Sequence, residues 1–199
     1  AVSIDNDDEP DIWPLITEGL VYLAPKEAET VTFTYKLESG ESYWFMVDSW
    51  RSVKETNETN NSATYTPPLP DIEISVVTHS AAVIETGKEV EWTVTVRNNG
   101  PGSAQPFQLA FDNDDDPTFL PISKVDVDRL GPGESASINF SREPVVGESY
   151  WFLADYDNTV VETDETNNLE HAALLFSDLE VTSVVMSPQS PSIDDEITW

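Results

Sequence analysis

The stretch Gly147-Glu-Ser-Tyr-Trp-Phe-Leu-Ala-Asp155 occurs twice in this 199-residue chain, the earlier copy being Gly40-Glu-Ser-Tyr-Trp-Phe-Met-Val-Asp48. Each copy leads through a polar segment into the pattern Glu-x-x-Glu-x-Asn-Asn, which ends at Asn168 and at Asn61. A short apolar and aromatic run followed by a turn-forming segment is typical of a β-hairpin. The stretch therefore predicts the last hairpin of a β-domain that has been duplicated.

One constant offset of 107 residues relates the two copies and extends over the whole chain. Asp178 matches Asp71, and Trp199 matches Trp92, in the same register and without a gap. An internal repeat of this kind indicates an array of similar units. We expect three parts: the C-terminal part of a first repeat in residues 1–66, a complete repeat in residues 71–176, and the N-terminal strands of a third in residues 178–199.

This register predicts that the chain is a window from a longer array. The alternative is that the chain is the entire polypeptide. Residues 178–199 of another copy would then supply the first two strands that residues 1–66 lack, as in donor-strand complementation. Head-to-tail pairing of that kind does not close and gives a filament.

The complete repeat consists of short segments in which apolar and polar residues alternate, the period-2 pattern of half-buried strands. The clearest alternation predicts one buried face made of Val90, Trp92, Val94 and Val96. The predicted strands are residues 71–77, 89–97, 107–111, 125–130, 136–140, 149–154 and 169–176. Seven strands in one repeat predict an all-β fold of tandem seven-stranded immunoglobulin- or fibronectin-III-like β-sandwiches.

Glycine and proline residues mark the turns and the joint between units. We expect the glycines of Asn98-Asn-Gly-Pro-Gly102 to supply positive φ angles in a turn. Gly131-Pro-Gly133 ends a strand. Thr66-Pro-Pro-Leu-Pro70 predicts a semi-rigid, extended joint between the first two units, because proline-rich linkers are stiff.

Four segments of the repeat carry a family resemblance. They are Asp71-Ile-Glu-Ile74 with its copy Asp178-Leu-Glu-Val181, Thr93 to Gly100, Leu130 to Ser135, and Val160 to Asn168. Together they resemble the CARDB family, the cell-adhesion-related domain found in bacteria and archaea. The resemblance implies a seven-stranded sandwich in large surface or secreted proteins, usually in tandem. The first copy departs from the pattern at Leu23-Ala-Pro-Lys-Glu-Ala28, which lacks the glycines, so we expect a differently shaped turn there.

The charge balance excludes several classes of partner. The chain has 38 acidic and 9 basic residues, a formal net charge of −29, and no cysteine. Nucleic acid and anionic lipid both require clusters of Lys and Arg, so neither is an expected partner. Six Trp and eight Phe argue against disorder. A folded protein with this carboxylate-covered surface is typical of a halophile, because concentrated salt screens the repulsion.

Two acidic segments are candidates for calcium, which is bound by oxygen ligands. One is the run with Asp112, Asp114 and Asp116, which does not have the Gly and Glu positions of an EF-hand. The alternative is a solvated hairpin tip. The other candidate combines Asp155 with Glu162 and Glu165. Asn and carboxylate side chains also mimic turn backbone, so the alternative there is a segment that locks the turn.

No catalytic constellation is evident. The two histidines, His79 and His171, match Met186 and Thr64 in the repeat, so neither is shared between copies. A general base or a metal ligand would be needed at each working site. We therefore predict no enzyme and no required cofactor other than the candidate calcium.

Three Asn-x-Ser/Thr sequences are potential glycosylation sites, at Asn57, Asn60 and Asn139. The first two lie in a predicted turn. Asn139 lies between the inward-facing Ile138 and Phe140, so we expect it to point outward.

These observations predict a non-catalytic extracellular segment at the cell surface of a halophilic organism, such as an archaeon, serving as a stalk, adhesin or filament subunit. Its partners would be neighbouring repeats or copies of itself, without membrane insertion by this segment. One alternative is a substrate- or surface-binding accessory module of a larger secreted enzyme. A second is a fibre or spike component of a halophilic virus.

Overall fold

A computed structural model describes residues 1–6, 14–20, 22–38, 40–81, 83–85, 87–114, 119–185 and 193. Within these residues the chain contains eleven β-strands and no helix. The first four strands are β1 (Val2–Asp5), β2 (Ile16–Glu18), β3 (Tyr43–Val47) and β4 (Ser62–Tyr65). The next seven are β5 (Ile72–His79), β6 (Val90–Asn98), β7 (Phe107–Asp112), β8 (Ser123–Val127), β9 (Ser135–Arg142), β10 (Tyr150–Leu153) and β11 (Leu169–Ala172).

Strands β5 to β11 form two antiparallel sheets with the orders β5-β6-β9 and β11-β10-β7-β8. Apolar residues from both sheets join in one buried cluster, so the sheets pack face to face as a sandwich. The all-β, immunoglobulin-like prediction is therefore confirmed, and all seven expected strands of this unit are present.

Trp92 lies at the centre of this core with its side chain fully buried. Its ring centroid is 4.7 Å from that of Tyr150 and 5.4 Å from that of Phe111. The predicted face of β6 is correct, because Val90, Val94 and Val96 are also buried. Successive side chains of a strand point to opposite faces, so every second side chain of β6 lies between the two sheets.

The first four strands form a separate sheet with the order β2-β1-β3-β4. This is the order of β8-β7-β10-β11 in the second unit. The registers also agree at the 107-residue offset: Asp5 pairs with Trp44 as Asp112 pairs with Trp151. Residues 28–35 correspond to β9 but form no strand. In the second unit β9 is paired along its length with β6, whereas no described strand pairs with residues 28–35.

The prediction for the glycines of Asn98 to Gly102 is wrong, because neither Gly100 nor Gly102 has a positive φ. These residues are glycines because they lie directly against the linker. A Cβ at Gly102 would overlap the carbonyl oxygen of Pro68, and one at Gly100 would collide with the backbone of Pro70 and Asp71. The Gly102 N–H also donates to the Leu69 carbonyl at 2.9 Å. The turn therefore fixes the proline-rich joint on the second unit.

The expected difference in the turn Leu23 to Ala28 is also wrong. Lys26 has φ +70°, close to the +75° of its counterpart Gly133. The Glu27 N–H donates to Ala24 O at 2.9 Å, as Glu134 N–H donates to Gly131 O at 3.0 Å. Proline followed by a residue with positive φ gives a type II turn in both copies. Lys26 takes a conformation that normally favours glycine.

Two strand ends differ from the prediction by three residues or more. The strand expected at residues 125–130 is β8, which ends at Val127. Leu130 instead exchanges backbone hydrogen bonds with Ala104, outside the ladder with β7. The last strand, expected to reach Phe176, ends at Ala172, because its ladder partner β10 begins at Tyr150, opposite Ala172.

Candidate functional site

The carboxylate of Asp155 closes the turn that follows β10. Its Oδ1 accepts hydrogen bonds from the N–H and the hydroxyl of Thr159, at 3.1 and 3.2 Å, and its Oδ2 accepts one from the Val160 N–H at 2.9 Å. The residue is buried and has φ +46°. Asp tolerates this left-handed conformation because its short side chain can bond to nearby backbone. Asp155 therefore acts as a structural brace of the turn.

The same brace occurs in the first unit at Asp48. Its Oδ1 accepts hydrogen bonds from the N–H and the hydroxyl of Ser52, and its Oδ2 accepts one from the Val53 N–H. Asp48 has φ +50°, close to the value for Asp155. The Ser52 hydroxyl, with the Val53 N–H, holds the pKa of the Asp48 carboxyl below its usual value, because hydrogen bonds stabilise the charged form. The ionised side chain is thus the one that holds the turn.

Glu162 ties the closing loop of the second unit to its first strand. One carboxylate oxygen accepts a short hydrogen bond from the backbone N–H of Ile72, at the start of β5. The other accepts the side-chain amide of Asn168 at 3.0 Å. The carboxylate therefore joins segments that are 90 residues apart in sequence.

Further hydrogen bonds complete this tie. The N–H and hydroxyl of Thr163 both donate to the Pro70 carbonyl, at 3.0 and 3.2 Å. The Asn167 amide donates to the Asp71 carboxylate at 2.9 Å. We call the set formed by Glu162, Thr163 and Asn167 with residues 70–72 the strand clamp. It gives two positions of the Glu-x-x-Glu-x-Asn-Asn pattern, Glu162 and Asn167, a structural partner in the first strand.

Burial raises the pKa of Glu162 to about 7. The Ile72 N–H and the Asn168 amide favour the charged form, while the nearby carboxylates of Glu165 and Asp155 disfavour it. Desolvation outweighs the hydrogen bonds. Glu162 is thus a titratable group at neutral pH whose partners are backbone and amide groups of the fold.

The first unit repeats the loop of Glu162 at Glu55. The Glu55 N–H donates to Glu58 Oε1 at 3.0 Å, as the Glu162 N–H donates to Glu165 Oε1. The Asn61 amide donates to Glu55, as Asn168 donates to Glu162. The loop is therefore preformed in the first unit. Glu55, however, is exposed, whereas Glu162 is only 7 % exposed.

The acidic run after β7 begins with a buried residue. Asp112 is 2 % exposed, and its two oxygens accept the backbone N–H groups of Asn113 at 2.8 Å and Leu120 at 3.0 Å. Asp114 is exposed, and Asp116 lies outside the described residues. Asp112 therefore holds the base of the hairpin tip.

Among the described residues, no three His, Cys, Asp or Glu side chains are grouped so that they could hold a metal ion. Asp155, Glu162 and Glu165 lie in one region, but their oxygens accept the hydrogen bonds described above. The calcium hypothesis at Asp112, Asp114 and Asp116 stays a prediction, because Asp116 is outside this part of the chain.

The aromatic and histidine side chains have structural positions. Tyr150 and Phe152 lie on one face of β10 and are fully buried in the core. Trp151 lies on the other face, with its ring centroid 4.5 Å from that of His171. His79 is exposed at the end of β5. The structure therefore does not bring the two histidines to a common site with the buried carboxylates.

The three potential glycosylation sites are exposed, as expected. Asn139 is on the outward face of β9, between half-buried and buried neighbours. Asn57 accepts hydrogen bonds from the N–H and the hydroxyl of Thr59, at 3.0 and 2.7 Å, in the closing loop. Asn60 is exposed in the same loop. Intact-mass measurement of the native protein would determine whether any of them carries a glycan.

Sequence reasoning missed the role of Asn98, which is fully buried at the end of β6. Its amide donates to the carbonyls of Gly102 and Leu130, at 2.7 and 3.0 Å. Its Oδ1 accepts the N–H groups of Asp71 and Gly100, at 3.1 and 3.0 Å. One side chain thus connects the linker end, the turn and the β8–β9 segment. The only signal in the sequence is an Asn at the end of an alternating strand, which also suits an ordinary turn.

The face-to-face sheets with a central tryptophan define an immunoglobulin-like β-sandwich. The sequence pattern of the CARDB family matches residues 69–172, more than half of the chain. The chain belongs to the CARDB family. This membership is consistent with a non-catalytic surface module. The described residues include no helix of the length and apolarity that a membrane crossing needs.

The chain is similar to two solved domain structures. A CARDB domain of a Pyrococcus furiosus protein, in complex with di-metal ions, is 22 % identical with a TM-score of 0.45, covering 59 % of this chain and 95 % of that domain. A domain of a protein from Methanosarcina acetivorans, described as a cell surface protein, is 19 % identical with a TM-score of 0.45, covering 56 % and 95 %. The comparison with curated proteins gives no match.

Proposed function

We propose that this chain is a non-catalytic extracellular segment of a cell-surface protein, built as a tandem array of CARDB units that serves as a stalk, adhesin or filament subunit. Residues 1–66 would supply the C-terminal part of one unit, residues 71–176 a whole unit, and residues 178–199 the start of the next. The observation that carries this proposal is that the buried carboxylates hold strands and turns together.

Asp155 and Glu162 illustrate the point. A general base needs an oxygen that can reach a substrate proton. Both carboxylates instead accept backbone or amide N–H groups on both oxygens. Repetition of the same loop bonds at Asp48 and Glu55 supports the tandem organisation, since a duplicated fold repeats its structural ties.

The surface charge supports an origin in concentrated salt. With a net charge of −29, most acidic residues have no basic side chain to pair with. Ion pairs such as Arg142 with Glu148 and Lys124 with Asp157 neutralise few of them. Screening by salt then becomes part of the stability of the fold, because the Debye length falls to about 3 Å at 1 M.

Surface labelling tests the proposed location. An antibody raised against this chain should label intact cells of the source organism without permeabilisation. An antibody against a cytosolic protein is the control and should label permeabilised cells only. Labelling of this protein that also requires permeabilisation would contradict an extracellular location.

Thermal unfolding tests the adaptation to salt. The melting temperature should rise continuously between about 0.1 M and 3 M KCl, because repulsion among the carboxylates is progressively screened. The same titration with tetramethylammonium chloride distinguishes general screening from binding of a particular cation. A melting temperature that does not change with either salt would refute the halophilic interpretation.

A further inference from the structure

Strand β9 forms one edge of the sheet β5-β6-β9, so only its inner side is paired. The backbone of Asn98, at the end of β6, points toward the β9 side, since its N–H donates to Glu134 O at 3.0 Å. Hydrogen-bonded pairs alternate along an antiparallel ladder, so every second residue of β9 directs its N–H and C=O groups away from β6. These residues are Ser135, Ser137, Asn139 and Ser141. Within the part of the chain that the structure describes, their outward N–H and C=O groups have no backbone partner.

The other three sheet edges of the second unit carry features that oppose pairing with a further strand. β5 has a bulge between Ile74 and Val76. β8 carries Lys124 and Asp126, and β11 has only four residues. Bulges, charges and short length are the usual means by which proteins protect a sheet edge. β9 has eight residues in unbroken register with β6, no proline, and a single charged side chain, Arg142, at its end. It is therefore the edge best suited to accept another strand.

The sequence of β9 is complementary to itself when two copies run antiparallel about Ile138. In that register the outward backbone groups meet in two kinds of pair, Ser135 with Ser141 and Ser137 with Asn139. Ile138 lies opposite Ile138 of the other copy, and Glu134 lies opposite Arg142 at both ends. Opposite charges directly across a ladder stabilise it, whereas like charges destabilise it. A second copy of the chain therefore fits this edge in both backbone pattern and charge.

Apolar surface lies beside the same edge. A cavity of about 180 Å³ is lined by Phe140 on β9 together with Phe111 and Ile122. Ile122 is 45 % exposed, and Ile138 is half-buried. A strand paired with β9 extends the sheet beside this opening, and burial of apolar area favours association.

The joints between units lie away from this edge. The linker leads into β5, and the chain leaves the unit after β11. In the orders β5-β6-β9 and β11-β10-β7-β8, these two strands are at the edges opposite to β9 and β8. Asn139, a potential glycosylation site, is exposed, and its side chain projects from the sheet face and not along the edge. A strand paired with β9 is therefore compatible with a tandem array.

We propose that β9 pairs with β9 of a second copy of this chain, antiparallel about Ile138, so that the two three-stranded sheets become one continuous sheet. Both copies use the same surface, so the contact closes at a dimer. The pairing joins units side by side, whereas the proposed array runs along the chain. It therefore goes beyond the proposed function and is tested independently of it.

Sedimentation velocity over a range of protein concentrations tests the pairing. The measurement uses about 3 M KCl, because a charge of −29 on each copy opposes association in dilute salt. The expected result is a mass that rises with concentration and levels off at twice the 22.1 kDa of one chain. A wild-type chain that stays monomeric at all concentrations, with the edge left for a strand of another protein, overturns the proposal.

Proline substitutions test whether the contact is at this edge. Ser137→Pro removes an N–H that points away from β6, so the ladder within the unit is retained. Association should weaken by about tenfold, because each copy loses one donor to the other. His79→Pro is the matched control, since His79 is exposed on β5 and its N–H points away from β6 at the opposite edge. The control should associate like the wild type, and equal association of the two variants contradicts the assignment to β9.

A cysteine at the proposed symmetry axis tests the register without a proline. The chain has no cysteine of its own. The two copies of residue 138 would form a non-hydrogen-bonded pair with Cα atoms about 4.5 Å apart, which is within the range that a disulfide spans. Ile138→Cys should therefore form a covalent dimer under mild oxidation, measured by intact mass.

Ser135→Cys is the control for chance collisions between exposed cysteines. In the proposed register the two copies of residue 135 are six residues apart along the paired strands, which is about 20 Å. This variant should stay monomeric under the same oxidation, although its cysteine is at an exposed position. Cross-linking of both variants at equal rates, or of neither, overturns the proposed pairing.

Discussion

Replacing Glu162 with Gln isolates a buried carboxyl whose pKa is raised to about 7. The substitution keeps the size of the side chain and removes its charge at all pH values. The Gln side chain presents its amide NH₂ group to the Asn168 amide, which is itself a donor. The hydrogen bond between the two side chains is therefore lost, which lowers the free energy of unfolding by about 1 kcal/mol at every pH. The pH dependence of stability is what distinguishes the two side chains.

The direction in which stability changes with pH follows from the pKa of Glu162 in the folded chain. The pKa of about 7 in the folded chain lies above the ordinary glutamate value of 4.5, so the folded state binds this proton more tightly. The stabilisation is complete below pH 4.5 and is lost as the pH rises through 7. Each pKa unit corresponds to about 1.4 kcal/mol, so protonation of Glu162 between pH 8 and pH 5 contributes roughly 2 to 3 kcal/mol.

Denaturant unfolding followed by tryptophan fluorescence at constant high salt measures this difference. When the pH is lowered from 8 to 5, the free energy of unfolding of the wild type should rise by roughly 2 to 3 kcal/mol more than that of Glu162→Gln. Glu55→Gln, measured in the same salt, is the matched control, because it removes an exposed carboxylate from the equivalent loop of the first unit. Equal pH dependence of Glu162→Gln and the wild type would refute the argument that Glu162 is desolvated in the clamp.

Three further predictions concern the core, the linker and calcium. Trp92→Ala should destabilise the second unit by about 3 to 5 kcal/mol in denaturant unfolding. Trp92→Phe should lower the free energy of unfolding by less, because the indole N–H that it removes has no hydrogen-bond partner in the described structure. Gly102→Ala should lower the melting temperature because its Cβ meets the linker, whereas Gly19→Ala, with open space around it, should not; equal effects would contradict the close-approach argument. The calcium hypothesis predicts a melting temperature that calcium raises at matched ionic strength, that chelator reverses and that Asp112→Asn no longer shows; absence of that response would reject the site.

The sandwich was predictable because its signals are local. Alternation in β6 identifies the buried face without knowledge of any other strand, since successive side chains of a strand point to opposite faces. The same rule puts Tyr150 and Phe152 on one face of β10 and Trp151 on the other, but only the structure shows that the first face is the buried one. At the 107-residue offset, strands β1 to β4 correspond to β7, β8, β10 and β11, whereas the counterpart of β9 forms no strand.

The errors arise where one residue type has several physical uses. Glycine allows either a positive φ or a close approach, and the sequence does not distinguish them, so Gly102 was assigned the wrong one. Lys26 is the opposite case, a residue other than glycine with a positive φ. The type II turn in which Pro25 precedes it imposes this conformation on it. Asn98 and Glu162 acquire their roles from partners distant in sequence, and no local pattern reports such a partner.

The strand clamp also lies where tension along the chain would first load the second unit. A pull transmitted through the linker reaches the second unit at Leu69, whose carbonyl accepts the Gly102 N–H, and then at Pro70, whose carbonyl is held twice by Thr163. The next bonds along the chain join Asp71 to Asn98 and Asn167, and Ile72 to Glu162. The closing loop would therefore take up force before the tryptophan core is disturbed. Under such tension, the strength of the strand clamp would limit the force that the second unit withstands.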